Sequence, residues 1–140
     1  GLAESWSQSE TDAKVWTFKL RQGVTFHDGS AFNADAVIWN LERYYNDKSE
    51  QFEPQGSAIV RARNPNLVSW KKIDDFTLEM TTDRELSYFP YLLVFVLNSS
   101  PAQWEAQGKD WAKFASAPAG TGPFKISAVE PRVSEPGAKA

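Results

Sequence analysis

The sequence predicts an α+β fold, an antiparallel sheet with helices packed on it. Two patterns carry that reading. Trp16, Phe18 and Leu20 alternate with Thr17, Lys19 and Arg21, and Phe76, Leu78 and Met80 alternate with Thr77, Glu79 and Thr81. That is the period of half-buried strands. Val37, Leu41, Tyr44 and Tyr45 instead share one helical face, with Asn40, Glu42 and Arg43 towards the other side. Hairpin, helix, hairpin and helix follow one another without a crossover, the order of an antiparallel sheet carrying helices.

The first strand runs from Leu2 to Ser7 and pairs with Trp16–Arg21 through the polar turn Ser9–Ala13. Val24 and Phe26 extend briefly before the turn His27-Asp28-Gly29-Ser30. Asn33 is a helix N-cap, Asp35 sits in the first turn at the positive end of the dipole, and Phe32 can close on Val37 as a hydrophobic staple. The polar stretch from Asn46 to Gly56, with its Pro54, reads as a surface excursion. Leu67–Ile73 and Phe76–Thr81 form the second hairpin around Asp74-Asp75. A helix is expected over Ser87–Leu97, with Pro90 tolerable only in its first turn. A shorter one spans Pro101–Gln107 and stops at Gly108, and Phe124–Val129 returns as a strand. Of the tryptophans, Trp16, Trp6 and Trp70 are expected in the core and Trp39 partly exposed.

Composition narrows the function. The 140 residues suffice for one compact domain, and 41% apolar residues with nine Phe, six Trp and four Tyr exclude a disordered chain. The net charge is −3 with Lys and Arg scattered, so no basic stripe offers a nucleic-acid surface. The longest apolar run, Tyr91–Leu97, is far short of the roughly 20 residues of a membrane helix. Without cysteine there is neither a disulfide frame nor a thiolate metal site.

No catalytic constellation emerges. The single His27 beside Asp28 lacks the convergent ligands a metal needs and reads as a turn. Asp74 and Asp75 are adjacent at a hairpin tip and point apart. Gly120-Thr121-Gly122 faintly suggests a phosphate cradle, but Pro123 removes a donor and no Gly-Lys-Ser/Thr follows. Asn98-Ser99-Ser100 fits a glycosylation sequon, and no Gly-x-Ser-x-Gly elbow is present. Catalytic residues, metal ligands and cofactors are therefore expected to be none.

Four words occur in order along the chain: Leu2-Ala-Glu-Ser-Trp6, Trp16-Thr-Phe-Lys-Leu-Arg21, Gly23-Val-Thr-Phe-His-Asp-Gly29 and Gly120-Thr-Gly-Pro-Phe124. Together they resemble the extracellular solute-binding proteins of ABC importers, in the oligopeptide/dipeptide/nickel-binding class (family 5). The resemblance covers about residues 2 to 130. It implies a non-enzymatic, monomeric protein that captures a solute and delivers it to permease subunits in the membrane. The cargo implied is a peptide, with nickel complexes, opines or sugars as alternatives. The compartment implied is the periplasm, or the extracellular face with a membrane anchor in a Gram-positive bacterium. It also implies that the chain is a piece of a longer two-lobed protein. Residues 1–119 would be the subdomain inserted in the first lobe, 120–130 the strand returning to the main lobe and 131–140 a flexible tail. The family's helix carries an Arg where this chain has Arg43. By the same resemblance the ligand-facing positions are Asn98 and Ser99, with Phe52 and Thr121. The plainer readings are a helix cap for Asn98 and Ser99, a loop anchor for Phe52, and a tight backbone path around Thr121. The competing function is a stand-alone α+β interaction module or small hydrolase that matches the words by chance.

Overall fold

Every neighbouring strand pair in the sheet is antiparallel, in the order β1-β2-β4-β3. The strands are β1 (Ala3–Gln8), β2 (Val15–Leu20), β3 (Leu67–Asp74) and β4 (Thr77–Thr82). The helices are α1 (Ala34–Tyr45), α2 (Pro54–Arg63), α3 (Phe89–Leu92), α4 (Pro101–Ala106) and α5 (Trp111–Ser116). The computed structural model describes residues 2–93 and 96–121. The expected strand at Phe124–Val129 and the expected tail at 131–140 lie outside the described residues.

The two central strands carry the core. Phe18 of β2 stands between Trp6 of β1 and Leu78 of β4 in the register, and Trp16 opposes Met80. Trp16, Phe18, Leu20, Leu78 and Met80 are buried together with Val37, Leu41 and Tyr44 of α1. Phe76 is half-buried against the same cluster. Phe89 of α3 meets Phe18 edge-on at 6.1 Å and tilts against Trp16 at 6.4 Å. The period-2 and period-3.6 faces therefore close on each other as the pattern predicts.

The start of α1 is fixed from two sides. Asn33 Oδ1 accepts from the Ala36 amide at 3.1 Å, so the expected N-cap is present. The Ala34 amide donates to Asp75 O at 2.7 Å, which docks the helix on the β3–β4 turn. Lys72 reaches Asp35 and Asp75 at 3.0 and 3.2 Å, but these exposed pairs add little.

Six points of the sequence reading need correction. The excursion Asn46–Gly56 ends early, because Pro54 opens α2. Pro is tolerated at the first helical position, and the helix carries Arg61 and Arg63 in its last turn. Only Ser57 and Val60 of α2 are buried, so no apolar stripe announces it. Of the helix expected over Ser87–Leu97, the described residues show only Phe89–Leu92, and the residues from Leu97 to Ser100 form a strap that belongs to no helix or strand. α5 was not anticipated; its Asp110 cap accepts from the Ala112 and Lys113 amides. Trp6 is 45% exposed on an edge strand, with Tyr91 edge-on at 6.3 Å, and so is not core. Trp70 is half-buried, tilted on Tyr45 at 5.7 Å. Finally, Asn40 and Arg43 are buried, because the strap and α5 cover that side of α1.

Phe18→Ala should lower unfolding free energy by about 3–5 kcal/mol, the usual cost of emptying a buried Phe site. Ile59→Ala, at a position 63% exposed on α2, should change it by no more than about 0.5 kcal/mol. Urea titrations of the two variants check the contrast.

Candidate functional site

The face that carries three of the four expected ligand positions is organised by polar side chains of α1. Asn40 reads the strap as a strand would. Its Oδ1 accepts from the Ser99 amide at 3.0 Å, and its Nδ2 donates to Ser99 O at 3.0 Å and to Ala36 O at 2.9 Å. One turn on, Arg43 donates from Nη1 to Ser99 Oγ at 2.8 Å and to Asn40 Oδ1 at 3.2 Å. Its Nε and Nη2 grip Glu53 Oε2 at 2.8 and 2.6 Å. The guanidinium carbon lies 3.9 Å from the Trp111 ring centroid and 4.6 Å from that of Tyr44, a cation–π arrangement on both. Tyr44 Oη donates to Leu97 O at 3.0 Å. Burial pushes the Tyr44 hydroxyl above its usual pKa, Arg43 opposes that and Glu53 adds to it, so it stays a donor at neutral pH. Burial likewise pushes Tyr45 up to about 12, against a lowering by Arg61, while its hydroxyl donates to Asn64 O.

Around this hub the remaining segments lock. Trp39, Trp104 and Trp111 form an aromatic cluster with centroids 5.5–5.9 Å apart. Trp111 Nε1 donates to Gln51 O at 3.0 Å, and Gln51 Nε2 donates to Trp39 O at 3.2 Å, tying α5 and the 47–53 turn to α1. Gly56 is required by a close approach. A Cβ there would lie 2.5 Å from Glu53 Oε2 and 2.9 Å from a Tyr44 ring carbon.

The far end of the strap is held by Asp28. Its carboxylate accepts from Ser100 Oγ at 2.5 Å, from Ser30 Oγ at 2.6 Å and from the Ser30 amide at 3.0 Å. Burial alone would raise its pKa, but the hydrogen bonds from Ser100 and Ser30 outweigh it and lower the value. Ser100 is also the N-cap of α4. The His27 amide donates to Gly120 O at 2.9 Å, and the Ser100 amide to Ala119 O at 2.9 Å, so the His27–Ser30 turn and the strap both hold residues 119–121. That turn is structural, with Gly29 at φ 87, as its sequence suggests.

Between the sheet and the strap lies an open apolar groove of about 560 Å³. Phe18, Leu20, Leu78 and Met80 line it from the sheet, and Leu97, Asn98 and Thr121 from the strap side. Of the four expected ligand positions, Asn98 and Thr121 thus come together. The Asn98 Oδ1 atom is buried and has no hydrogen-bond partner among the described residues. Ser99 is adjacent but its hydroxyl and backbone are engaged by Arg43 and Asn40. Phe52 stands apart, half-buried in the turn before α2, where its amide donates to Ser49 O at 3.2 Å. Asn40 and the Trp39–Trp104–Trp111 cluster were missed as parts of this face. The available signal was an Asn in the interior of a good helix, where its short polar side chain is unfavourable unless it serves a partner. Among the described residues no group of three or more His, Asp or Glu could hold a metal ion.

Arg43→Ala should destabilise by roughly 3 kcal/mol, the low end for stripping a buried ion of its partner, because Glu53 keeps a quarter of its side chain in water. Arg43→Lys should recover little of it, since an ammonium cannot grip Glu53 with two nitrogens, reach Ser99 and stack on Trp111 together. Chemical denaturation checks both. The lowered pKa of Asp28 stabilises the fold above the unfolded carboxyl value of about 3.9 and is lost as pH falls through the folded one. Ser100→Ala should raise the Asp28 pKa, so stability should fall away at higher pH than in the parent, which acid titration followed by carboxyl NMR can measure.

A family model described as bacterial extracellular solute-binding proteins, family 5 Middle, matches residues 1–134. The chain is 32% identical over 140 residues to the dipeptide-binding protein of Escherichia coli strain K12, covering 90% of this chain and 26% of that relative. It is 34% identical over 127 residues to the glutathione-binding protein GsiB of Shigella boydii, covering 89% and 23%. Among solved structures it superimposes on the ABC transporter-associated periplasmic binding protein DppA from Helicobacter pylori, in complex with peptide STSA. The TM-score is 0.75 at 26% identity, over 94% of this chain and 28% of that one. The chain spans about a quarter of the length of these relatives. The agreement of sequence, family model and fold over nearly the whole chain sets aside a chance match to the four words. The chain belongs to the bacterial extracellular solute-binding proteins, family 5.

Proposed function

We propose that this chain is the inserted subdomain, residues 1–119, of the first lobe of a substrate-binding component of an ABC importer, with 120–130 leading back to the main lobe. The protein captures a peptide outside the inner membrane, in the periplasm or at the extracellular face, and hands it to the permease without chemical change. The observation that carries this reading is the family match across residues 1–134. Peptide is favoured over nickel complexes, opines or sugars because the relatives described above are named for a dipeptide and for glutathione, or hold a tetrapeptide.

The geometry supports a contact at the end of the strap. Asn98 offers an acceptor without a partner among the described residues, the complement of a peptide N–H. Thr121 stands beside it on the groove rim. Ser99 Oγ accepts from Arg43 and keeps its own O–H to donate, and its main part is to hold Asn98 in place. Phe52 would meet cargo from the separate 47–53 turn. Asn98 and Thr121 would form part of one wall of a cleft that closes from two sides.

The test is a thermal-shift screen of the whole polypeptide against di- and tripeptides and nickel–histidine. A peptide at a hundred times its Kd should add about 2.7 kcal/mol and raise Tm. Asn98→Ala should weaken that peptide about tenfold, the value of one hydrogen bond, with ligand-free Tm unchanged. The 140-residue chain alone should show no micromolar binding by calorimetry. Failure of every peptide to shift Tm, or hydrolysis of a peptide by the protein, would contradict the reading.

A further inference from the structure

The strap that carries Asn98 and Ser99 and the 47–53 turn that carries Phe52 meet on one side chain. Arg43 grips Glu53 Oε2 with Nε and Nη2 at 2.8 and 2.6 Å, and it reaches Ser99 Oγ with Nη1 at 2.8 Å. Nη1 also donates to Asn40 Oδ1 at 3.2 Å, the atom that accepts from the Ser99 amide, so the strap is touched twice. The Glu53 amide donates to Arg43 O at 3.1 Å, which fastens the turn to both ends of the same residue. Trp111 braces the arrangement. The guanidinium carbon stands 3.9 Å from its ring centroid, while its Nε1 donates to Gln51 O of the turn. The Glu53 carboxylate fills the place that a side chain at Gly56 would take, since a Cβ there would lie 2.5 Å from Oε2.

A guanidinium is planar and rigid, with its donors in a fixed fork. The edge on Glu53 therefore cannot shift without swinging the nitrogen on Ser99. Charge enforces the link, because an arginine side chain only 9% exposed cannot trade its carboxylate for water. We propose that Glu53 is a positioning residue: through Arg43 it sets where Ser99 stands, and with it the neighbouring Asn98, so that the turn and the strap respond as one unit. Resting on the reading that Asn98 and Phe52 face solute, a solute that meets either segment is felt at the other. The coupling runs in both directions, as linkage requires.

Amide hydrogen exchange in the 140-residue chain tests this. Glu53→Gln keeps the size of the side chain and removes its charge. It should speed exchange of the Ser99 amide about tenfold more than that of Leu41 and Leu78, the value of one hydrogen bond. A carboxylate that served stability alone would speed all three by one factor, and that result would overturn the proposal. Lys109→Ala cuts the exposed pair with Glu50 on the same turn and should leave the contrast absent. The same contrast in Lys109→Ala would mean that the turn acts by another route, and would also overturn it. Ser99→Ala should loosen the residue-99 amide through the same link, so Glu53→Gln added to it should add little. Two effects that multiply to within about twofold would mark independent sites and reject the coupling. Where Glu53→Gln does not fold, Ser99→Ala is read at the Glu53 amide, which must gain speed over Leu41 and Leu78 or the proposal falls. None of these results depends on cargo, so failure of every peptide to bind would end the solute reading and leave the coupling decided by exchange.

Discussion

The burial of the Arg43 guanidinium is the constraint on which the rest of this unit depends. An arginine nine-tenths out of water is costly unless each face and edge of its fork is matched. Here the matches come from four places in the chain: Asn40 one turn earlier, Glu53 at the entry to α2, Ser99 in the strap and Trp111 at the start of α5. Glu53 can take its position only because residue 56 has no side chain. A hydrophobic core would hold α1 on the sheet in any of several neighbouring arrangements. The directional bonds of one guanidinium select among them for segments with too little apolar surface to place themselves, above all the strap.

The strap shows how polar side chains of α1 fix a segment that has no backbone ladder of its own. Residues 97–100 belong to no helix or strand, yet three of the four are tied: Leu97 O by Tyr44, both backbone groups of Ser99 by Asn40, and Ser100 by Asp28 and Ala119. Asn98 is the member whose buried side-chain acceptor has no partner among the described residues. The two residues paired by the sequence-level expectation therefore differ: Ser99 is engaged by Asn40 and Arg43, whereas the Asn98 Oδ1 has no partner among the described residues.

Much of the fold was legible because local and global signals agreed. The alternation at Trp16–Leu20 and Phe76–Met80, the Asn33 cap and the Gly108 stop each describe their own segment, and the structure repeats them. The legible part ends where placement is decided by distant partners. α2 lacks an apolar stripe, and its Pro and Gly read as breaks, although one sits at a helix start and the other at a close approach. The segment after Pro90 is apolar on every side, so no period could say that helix stops at Leu92. Asn40 and Arg43 read as solvent-facing because their partners lie 56–59 residues further along the chain. Of the candidate site, the family resemblance pointed to Asn98, Ser99, Phe52 and Thr121, whereas the groove needed the packed sheet.

The central claim is that the strap is as firmly held as the secondary structure, through α1's polar face. Native-state hydrogen exchange of the Ser99 amide tests it most directly, since that amide lies outside every helix and strand and donates only to a side chain. The account predicts that it exchanges with a free energy close to that of Leu41 and Leu78 at the centre of the core, by near-global unfolding. Exchange at the rate of an exposed loop amide, with the core still protected, would contradict it.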